Sequence, residues 1–355
     1  MSDWASVRRL LCVRLDSIGD VLMTTPAIRA LRETLGCHVT LLTSAAGAAT
    51  APFVPEVDET LVFAAPWMKA GGEAPGDDLA TIERLREGRF DAAAIFTVYS
   101  QSPLPAAYLC YLAGIPRRLA HCRENPYRLL SDWVADPEPE KLVRHEVRRQ
   151  LDLAAAVGCA TADSRLSFRV PAAARARMER ELAGMRRPLV VVHPGASAAS
   201  RRYPPESYAR AIDLLIDDTG CEALFTGERW EAPLVDTVRG AMRRPSRSLV
   251  GRLGLGELAA LIEQADLLVC NNTGPAHLAA ALGTPVVDLY ALTNPQHTPW
   301  QVPSRVLNHD VPCRNCYKSV CPAGHHDCLR RVAPEAVAAA ARDLLQLPSL
   351  ERLPA

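Results

Sequence analysis

No stretch of this 355-residue chain approaches the ~20 consecutive apolar residues that would span a bilayer. The opening residues, MSDWASVRR, lack the apolar centre of a secretory signal. The chain is therefore expected to stay in the cytoplasm. Charge of one sign is also missing: 40 basic and 40 acidic residues cancel, which argues against wholesale nucleic-acid binding. Lysine is scarce beside arginine, whose fixed, always-charged fork suits phosphate. No G-x-G-x-x-G follows the first apolar strand, and G-x-x-x-x-G-K-[ST] occurs nowhere. Dinucleotide binding of the usual kind and P-loop hydrolysis are thus disfavoured. Without an export signal the 11 cysteines are expected to be mostly reduced. Seven of them, from Cys12 to Cys270, are scattered, several in apolar strands where a thiol behaves as a small hydrophobe.

The most informative stretch is Leu10 to Leu35. It reads as a buried strand from Leu10 to Leu15, interrupted by Arg14, then a polar loop Asp16-Ser17-Ile18-Gly19-Asp20, then a helix with Ile28, Leu31 and Leu35 on one face. The helix starts either at Gly19-Asp20 or at Thr25, with Pro26 in the first helical position. Gly36 is its natural stop. In open α/β sheets ligands sit at the carboxyl ends of the strands, so Asp16, Ser17, Gly19 and Asp20 form a candidate site. Asp20 is equally readable as a helix cap.

Further strands are expected at His38–Thr43, Glu59–Phe63 and Asp91–Thr97, with a loop over Ala64–Asp78 and helices near Leu79–Glu87, Pro105–Ala113 and Lys141–Val157. Tyr99 to Ser102 falls on the same edge as the Asp16–Asp20 loop. Arg117, Arg118, His121 and Arg123 form a basic group near a sheet edge, either a place for an anionic substrate or a solvated charged face. A linker with a strand is expected over Asp163–Ala172, and then the alternation of strands and helices restarts. Strand Leu189–Val192 ends in His193-Pro194-Gly195-Ala196-Ser197, and strands near Glu222–Thr226, Ser248–Val250, Leu267–Cys270 and Pro285–Leu289 alternate with helices. The helices fall near Ala173–Ala183, Pro205–Asp218, Trp230–Met242, Leu255–Ala265 and Pro275–Leu282, with a last one at Pro334–Leu345. Such alternation gives parallel sheets. The fold class is α/β, with two Rossmann-like domains.

Asn271-Asn272-Thr273-Gly274-Pro275-Ala276-His277 follows a strand and opens a helix. Free N–H groups and a partial positive charge at a helix start suit a diphosphate, although an ordinary capped helix has the same pattern. His277 points at that anion or sits in the core. Arg201-Arg202, just after the His193–Ser197 loop, suit a leaving phosphate or lie on the surface. Cys313-x2-Cys316-x4-Cys321-x6-Cys328, with His325 and His326, is metal-like in composition but departs from standard zinc spacing. It reads as a zinc site, a redox-sensitive disulfide or a reduced loop.

In order along the chain, Val13 to Leu22 with Thr24-Thr25-Pro26, His193-Pro194-Gly195-Ala196, and Asn271 to Pro285 resemble glycosyltransferase family 9, the bacterial ADP-heptose:lipopolysaccharide heptosyltransferases. Cys321 to Cys328 looks like the second-heptose type of that family. The resemblance implies a GT-B fold, with two Rossmann-like domains facing a cleft and the C-terminal helix packing back across them. Its domains would be residues 1–170 for the acceptor, 171–332 for the nucleotide-sugar, and 333–355 as helix and tail. It implies an inverting transfer of heptose from ADP-heptose to a lipopolysaccharide core or related lipid-linked glycan, without a cofactor in catalysis. Contact with nucleic acid is not implied, and contact with the inner face of the cytoplasmic membrane would be peripheral.

Carried onto this chain, the resemblance makes Asp20 the general base and Arg201 the cation at the leaving group. Ser197, Arg202, Gly227, Glu231 at the ribose, Leu253 near the adenine, Asn272, Thr273, Gly274 and His277 would bind the donor. Asp16, Ser17 and Gly19, with Arg117, Arg118 and Arg123, would meet the acceptor. A structural metal would fall at Cys313, Cys316, Cys321 and Cys328. Many family members carry aspartate where this chain has Asn272, which keeps hydrogen bonding but loses the charge. Two other readings share these residues: a GT-B transferase with another nucleotide-sugar, and a non-catalytic nucleotide-sugar binder.

Overall fold

The computed structural model describes residues 3–68 and 76–346. Residues 69–75 of the loop expected over Ala64–Asp78, and the tail from 347 on, lie outside the described residues. Two compact units divide the chain, Met1–Arg169 and Val170–Ala355. The first contains β1 (Arg9–Arg14), α1 (Ile18–Leu35), β2 (His38–Thr43), α2 (Ala45–Ala48), β3 (Glu59–Val62), α3 (Gly76–Glu87), β4 (Ala92–Ile95), α4 (Leu104–Leu112), β5 (Arg117–Cys122), β6 (Asp132–Ala135) and α5 (Glu146–Ala155). Its six strands are parallel in the order β3-β2-β1-β4-β5-β6. The order reverses between β1 and β4, which opens a crevice at their carboxyl ends.

The second unit contains α6 (Ala172–Glu181), β7 (Leu189–His193), α7 (Pro205–Thr219), β8 (Glu222–Phe225), α8 (Ala232–Ala241), β9 (Arg247–Ser248), α9 (Leu255–Gln264), β10 (Leu267–Asn271), α10 (Gly274–Leu282), β11 (Val286–Leu289), β12 (Ser304–Leu307), α11 (Asp327–Arg330) and α12 (Pro334–Gln346). Its sheet runs β12-β11-β10-β7-β8-β9, again all parallel, with the switch between β7 and β10. The last helix packs on α7 and on β10, β11 and β12, all within this unit. No helix among the described residues is long and apolar enough to cross a membrane.

Central strands are buried on both faces, and successive side chains alternate between them. Leu10 and Cys12 join α1 and α5 residues in one core, while Leu11 and Val13 join α3 and α4 residues in another. The second sheet packs Val190, Val192, Val269, Val287 and Leu289 against α7, α8 and α12 in the same way.

Helix α1 settles the choice of starting point. Ser17 is its N-cap and Asp20 its third residue, so Pro26 lies inside the helix rather than at its start. Proline cannot donate to Leu22 O, the carbonyl four residues back. The Thr25 hydroxyl fills that place, donating to Leu22 O at 2.7 Å while accepting from Ser167 N at 2.9 Å. Thr25→Val would orphan both buried backbone groups. It is expected to lower stability by about 1–3 kcal/mol, seen as a lower melting temperature in calorimetry.

Several expected elements differ. Strands β5, β6 and β12 were not anticipated, because charged residues open β5 and two of the three are short edge strands. The strand expected within Asp163–Ala172 does not form: that segment ties to α1 through Arg29, which donates to Asp163 O and Arg165 O. Helix α5 begins at Glu146 rather than Lys141, because Arg144 is held by Glu138 and Asp152 just before it.

Candidate active site

Alternation decides what Arg14 can reach. Cys12 faces α1 and α5, so Arg14, two residues on, faces them too. Its side chain is fully buried among three carboxylates. Nε lies 3.1 Å from Asp16 Oδ2, Nη2 donates to Asp20 Oδ1 at 3.1 Å, and Nη1 donates to Glu146 Oε1 at 2.7 Å. Gln150 also donates to Glu146 Oε1, at 2.6 Å. Burial opposes the guanidinium charge, but Asp16, Glu146 and Asp20 together hold it protonated beyond its ordinary range. Arg14 looked like an interruption of an apolar strand; it is the shared partner of these three carboxylates. Glu146 was missed as well, since it lies 132 residues away in sequence.

The other Asp20 oxygen, Oδ2, accepts from Ser17 N at 3.1 Å and from Ser17 Oγ at 2.7 Å. Asp20 thus serves both the helix start and the site. Gly19 is buried in the first turn. Asp16 Oδ1 accepts from Gln101 Nε2 at 2.7 Å, across the β1–β4 switch. Burial pushes the Asp16 carboxyl up to about 6, opposed by Arg14 and reinforced by the charge of Asp20.

The basic group divides. Arg117 and Arg118 sit at the amino end of β5, away from the carboxyl edge, which corrects their assignment as acceptor contacts. Arg117 donates to Ser6 Oγ at 3.0 Å. Arg118 is buried and donates to Leu129 O at 2.7 Å and Arg128 O at 2.8 Å, with Tyr111 beneath it. His121 is a core residue: burial pushes it down to about 4, and its Nε2 lies 3.1 Å from Arg149 O. Only Arg123, exposed just past β5, remains at the carboxyl edge; it donates to Glu138 O.

In the second unit, the loop after β7 is clamped from β10. Asn271 donates to Pro194 O at 2.7 Å and accepts from Tyr203 N at 3.1 Å. His193 Nδ1 lies 3.0 Å from Thr226 Oγ1, and burial lowers its pKa to about 4, so the ring is neutral. Glu231 is buried and accepts from Glu228 N at 2.8 Å. Burial raises its pKa. A Cβ at Gly195 would come within 2.0 Å of Glu231 Oε1, so glycine there makes room for that carboxylate. A Cβ at Gly227 would meet the same carboxylate at 3.2 Å. Ser197 is exposed, and Leu253 is half-buried between β9 and α9.

Thr273 occupies the N-cap of α10, but its side chain makes no capping bond; Oγ1 donates to Asn271 O at 3.2 Å instead. The expected cap is therefore not made, and the first-turn amides of α10, which starts at Gly274, have no side-chain cap. Asn272 is 2% exposed, with its side chain beside the Tyr290 hydroxyl. His277 is buried in the first turn, edge-on to His297.

Arg202 donates to Ala196 O at 2.8 Å and lies over the Trp230 ring. Arg201, beside it, is half-buried. Asp288 on β11 was missed by sequence reasoning. It is fully buried, with no hydrogen-bond partner on either oxygen, and burial raises its pKa far above the carboxylate range against the pull of Arg201.

The cysteine-rich segment works as a strap beside this loop. Ser200 N donates to Ser319 O at 3.0 Å and Ser200 Oγ to Lys318 O at 2.7 Å. Asn315 N and Tyr317 N donate to Leu292 O and Thr293 O after β11. Cys313, Cys316, Cys321 and Cys328 are free thiols, with Cys313 Sγ 3.7 Å from His325 Nε2. Among the described residues no group of three or more His, Cys, Asp or Glu side chains is arranged to hold a metal ion.

Residues 79–326 match the model of glycosyltransferase family 9 (heptosyltransferase). The chain is 28% identical over 160 residues to lipooligosaccharide heptosyltransferase 2 of Campylobacter jejuni, a match covering 44% of this chain and half the length of that relative. It is 26% identical over 299 residues to lipopolysaccharide heptosyltransferase 2 of Escherichia coli K12, covering 80% of this chain and 83% of the relative. The solved E. coli ADP-heptose lps heptosyltransferase II superimposes with a TM-score of 0.75 at 24% identity, over 95% of this chain and 98% of that one. That likeness identifies the fold as GT-B.

Proposed function

Because the chain belongs to glycosyltransferase family 9 (heptosyltransferase), we propose that it transfers heptose from ADP-heptose to a hydroxyl of a lipopolysaccharide core or related glycan, with inversion, using Asp20 as general base. The observation that carries this reading is the Arg14-centred group at the carboxyl end of β1. There Asp20 is a hydrogen-bonded carboxylate at a topological switch point. A positioned carboxylate is what removal of a hydroxyl proton needs.

The step is a single displacement. The acceptor proton passes to Asp20, and the acceptor oxygen forms a bond to the anomeric carbon. The bond from that carbon to the phosphate oxygen breaks, and its electron pair leaves with ADP. Attack opposite the leaving group inverts the centre. The growing charge on ADP is met by the α10 amides and by Arg201, groups set in place before reaction. Glu231 would hold the ribose, Leu253 the adenine, and Asn272 would offer its amide to the donor sugar. Asn272 gives this chain a neutral donor where a carboxylate would give only acceptors.

Two further results are expected. Gly195→Ala displaces the Glu231 carboxylate and should weaken ADP binding about tenfold or more, roughly 1.4 kcal/mol, as read by calorimetric titration. Unchanged affinity would remove Glu231 from the ribose site. The reading as a whole is tested by incubating the enzyme with ADP-heptose and heptose-deficient lipopolysaccharide. Stoichiometric ADP and a heptoside of opposite anomeric configuration are expected. A product of retained configuration, or ADP formed without heptoside, would overturn it.

A further inference from the structure

Glu146 opens α5, 132 residues after Arg14, and its side chain is fully buried. One oxygen, Oε1, accepts from Arg14 Nη1 at 2.7 Å and from Gln150 Nε2 at 2.6 Å. Gln150 Nε2 also donates to Thr97 O at 3.1 Å, just past β4. Its amide is thus fixed on two sides and holds Glu146 in one direction. Arg14 passes that direction on, since its other terminal nitrogen, Nη2, donates to Asp20 Oδ1 at 3.1 Å. The guanidinium is planar and rigid, so a bond on Nη1 sets where Nη2 points.

Stability alone does not call for this third carboxylate. Asp16 and Asp20 already give Arg14 two counter-charges. A buried ion pair is often no more stable than an apolar pair of the same shape. The start of α5 eases the burial of Glu146, because a helix N-terminus favours negative charge. The result is an excess of negative charge around one guanidinium. The charged groups that meet there are Arg14 of β1, Asp16 of the loop, Asp20 of α1 and Glu146 of α5. The neighbouring cations of α5 are engaged elsewhere: Arg144 by Glu138 and Asp152, and Arg149 by Asp136 and Glu138. His145, the cap of α5, accepts from Val147 N through Nδ1. Each negative charge raises the proton affinity of the other carboxylates. Asp16 shows the effect: burial first, then the charges of Asp20 and Glu146, hold its carboxyl at about 6 against the pull of Arg14.

We propose that Glu146 is a positioning residue for the reaction: through Arg14 it fixes the direction of the Asp20 carboxylate, and its charge keeps that carboxylate basic enough to take the acceptor proton. The inference rests on the function proposed above for the role of Asp20 as base. Glu146 acts through Arg14 and is not itself a catalytic residue.

The test uses Glu146→Gln, which keeps an oxygen for Arg14 and Gln150 and removes the charge. The full chain is labelled with carbon-13 at the aspartate carboxyls, the Asp20 signal is identified by its loss in Asp20→Asn, and the signal is titrated without substrate. In Glu146→Gln the Asp20 midpoint is expected to fall by about one pH unit, and the acid limb of the rate against pH to fall with it. Turnover on the plateau should drop about three- to tenfold as the base weakens, with ADP-heptose affinity within a factor of two. Glu146→Asp keeps the charge on a shorter arm, so its midpoint should stay near that of wild type while turnover still drops, because the direction of Arg14 is lost. A midpoint and acid limb unmoved in Glu146→Gln would overturn the inference, even where the variant melts at a lower temperature, since that is the mark of a purely structural role. Failure of the wild-type chain to form a heptoside would instead overturn the proposed function, and the substrate-free titration reads Glu146 separately.

Discussion

Asp20→Asn is expected to lower turnover by about 10²- to 10⁴-fold, the usual contribution of a positioned general base, while leaving the affinity for ADP-heptose within a factor of two. The side chain keeps its shape, so one oxygen can still accept from Arg14 or from Ser17 N, as Asp20 now does at 3.1 Å each. What is lost is the basic oxygen that takes the acceptor proton. Stability should fall by only about 1 kcal/mol, the size of one hydrogen bond, so folded protein remains for kinetics. The proposed donor groups, on the β7 loop and at the start of α10, belong to the second unit and are untouched by the substitution. Steady-state rates paired with calorimetric donor titration check this. Unchanged turnover would remove Asp20 as the base.

Arg14→Met should have the largest effect on stability. Arg14 is the shared partner of Asp16, Asp20 and Glu146, and its side chain and that of Glu146 are fully buried. Removing one partner of a buried ionic group leaves uncompensated charge, at a cost of about 3–5 kcal/mol. The sign of the pH dependence follows. Asp16 already titrates near 6, above its ordinary value, because burial disfavours its charge, and Arg14 pulls against that rise. A raised carboxyl contributes stability that is complete below its unfolded value, near 4, and lost as pH rises through the folded one. Without Arg14 the folded value rises further. The deficit of the variant should therefore be small near pH 4 and widen as pH rises past 6. Melting temperatures of wild type and variant from pH 4 to 8 test this; a gap that narrows with rising pH would contradict it. Arg14→Lys should recover only part of the loss, since a single ammonium cannot serve three carboxylates in fixed directions.

These two residues mark what was readable from the chain and what was not. Asp20 was legible because the whole strand–loop–helix unit that presents it is local, and its loop falls where a parallel sheet opens. The restart of alternation at Leu189 was legible for the same reason: each βα step is a short-range pattern. Arg14 was not, because its meaning depends on Glu146, brought beside it by the packing of α5 on α1. Arg117 and Arg118 misled because charge type says nothing about direction, and the start of β5 turns them toward the amino end of the sheet. The clamp that Asn271 makes and the burial of Asp288 carry no local signal; one holds a loop 76 and 77 residues away, and the other is a buried acid on a strand. Thr25 and Pro26 offered a helix start that tertiary structure overrode, since the Thr25 hydroxyl replaces the bond that proline cannot make.

The central claim is that ADP-heptose is the donor, and calorimetric titration of the intact chain with ADP-heptose, ADP, UDP-glucose and GDP-mannose tests it most directly. Saturable binding of ADP-heptose and ADP, at least tenfold tighter than the uridine and guanosine nucleotides, is the predicted result. Preference for UDP-glucose or GDP-mannose, or no binding of ADP-heptose at millimolar concentration, would contradict it.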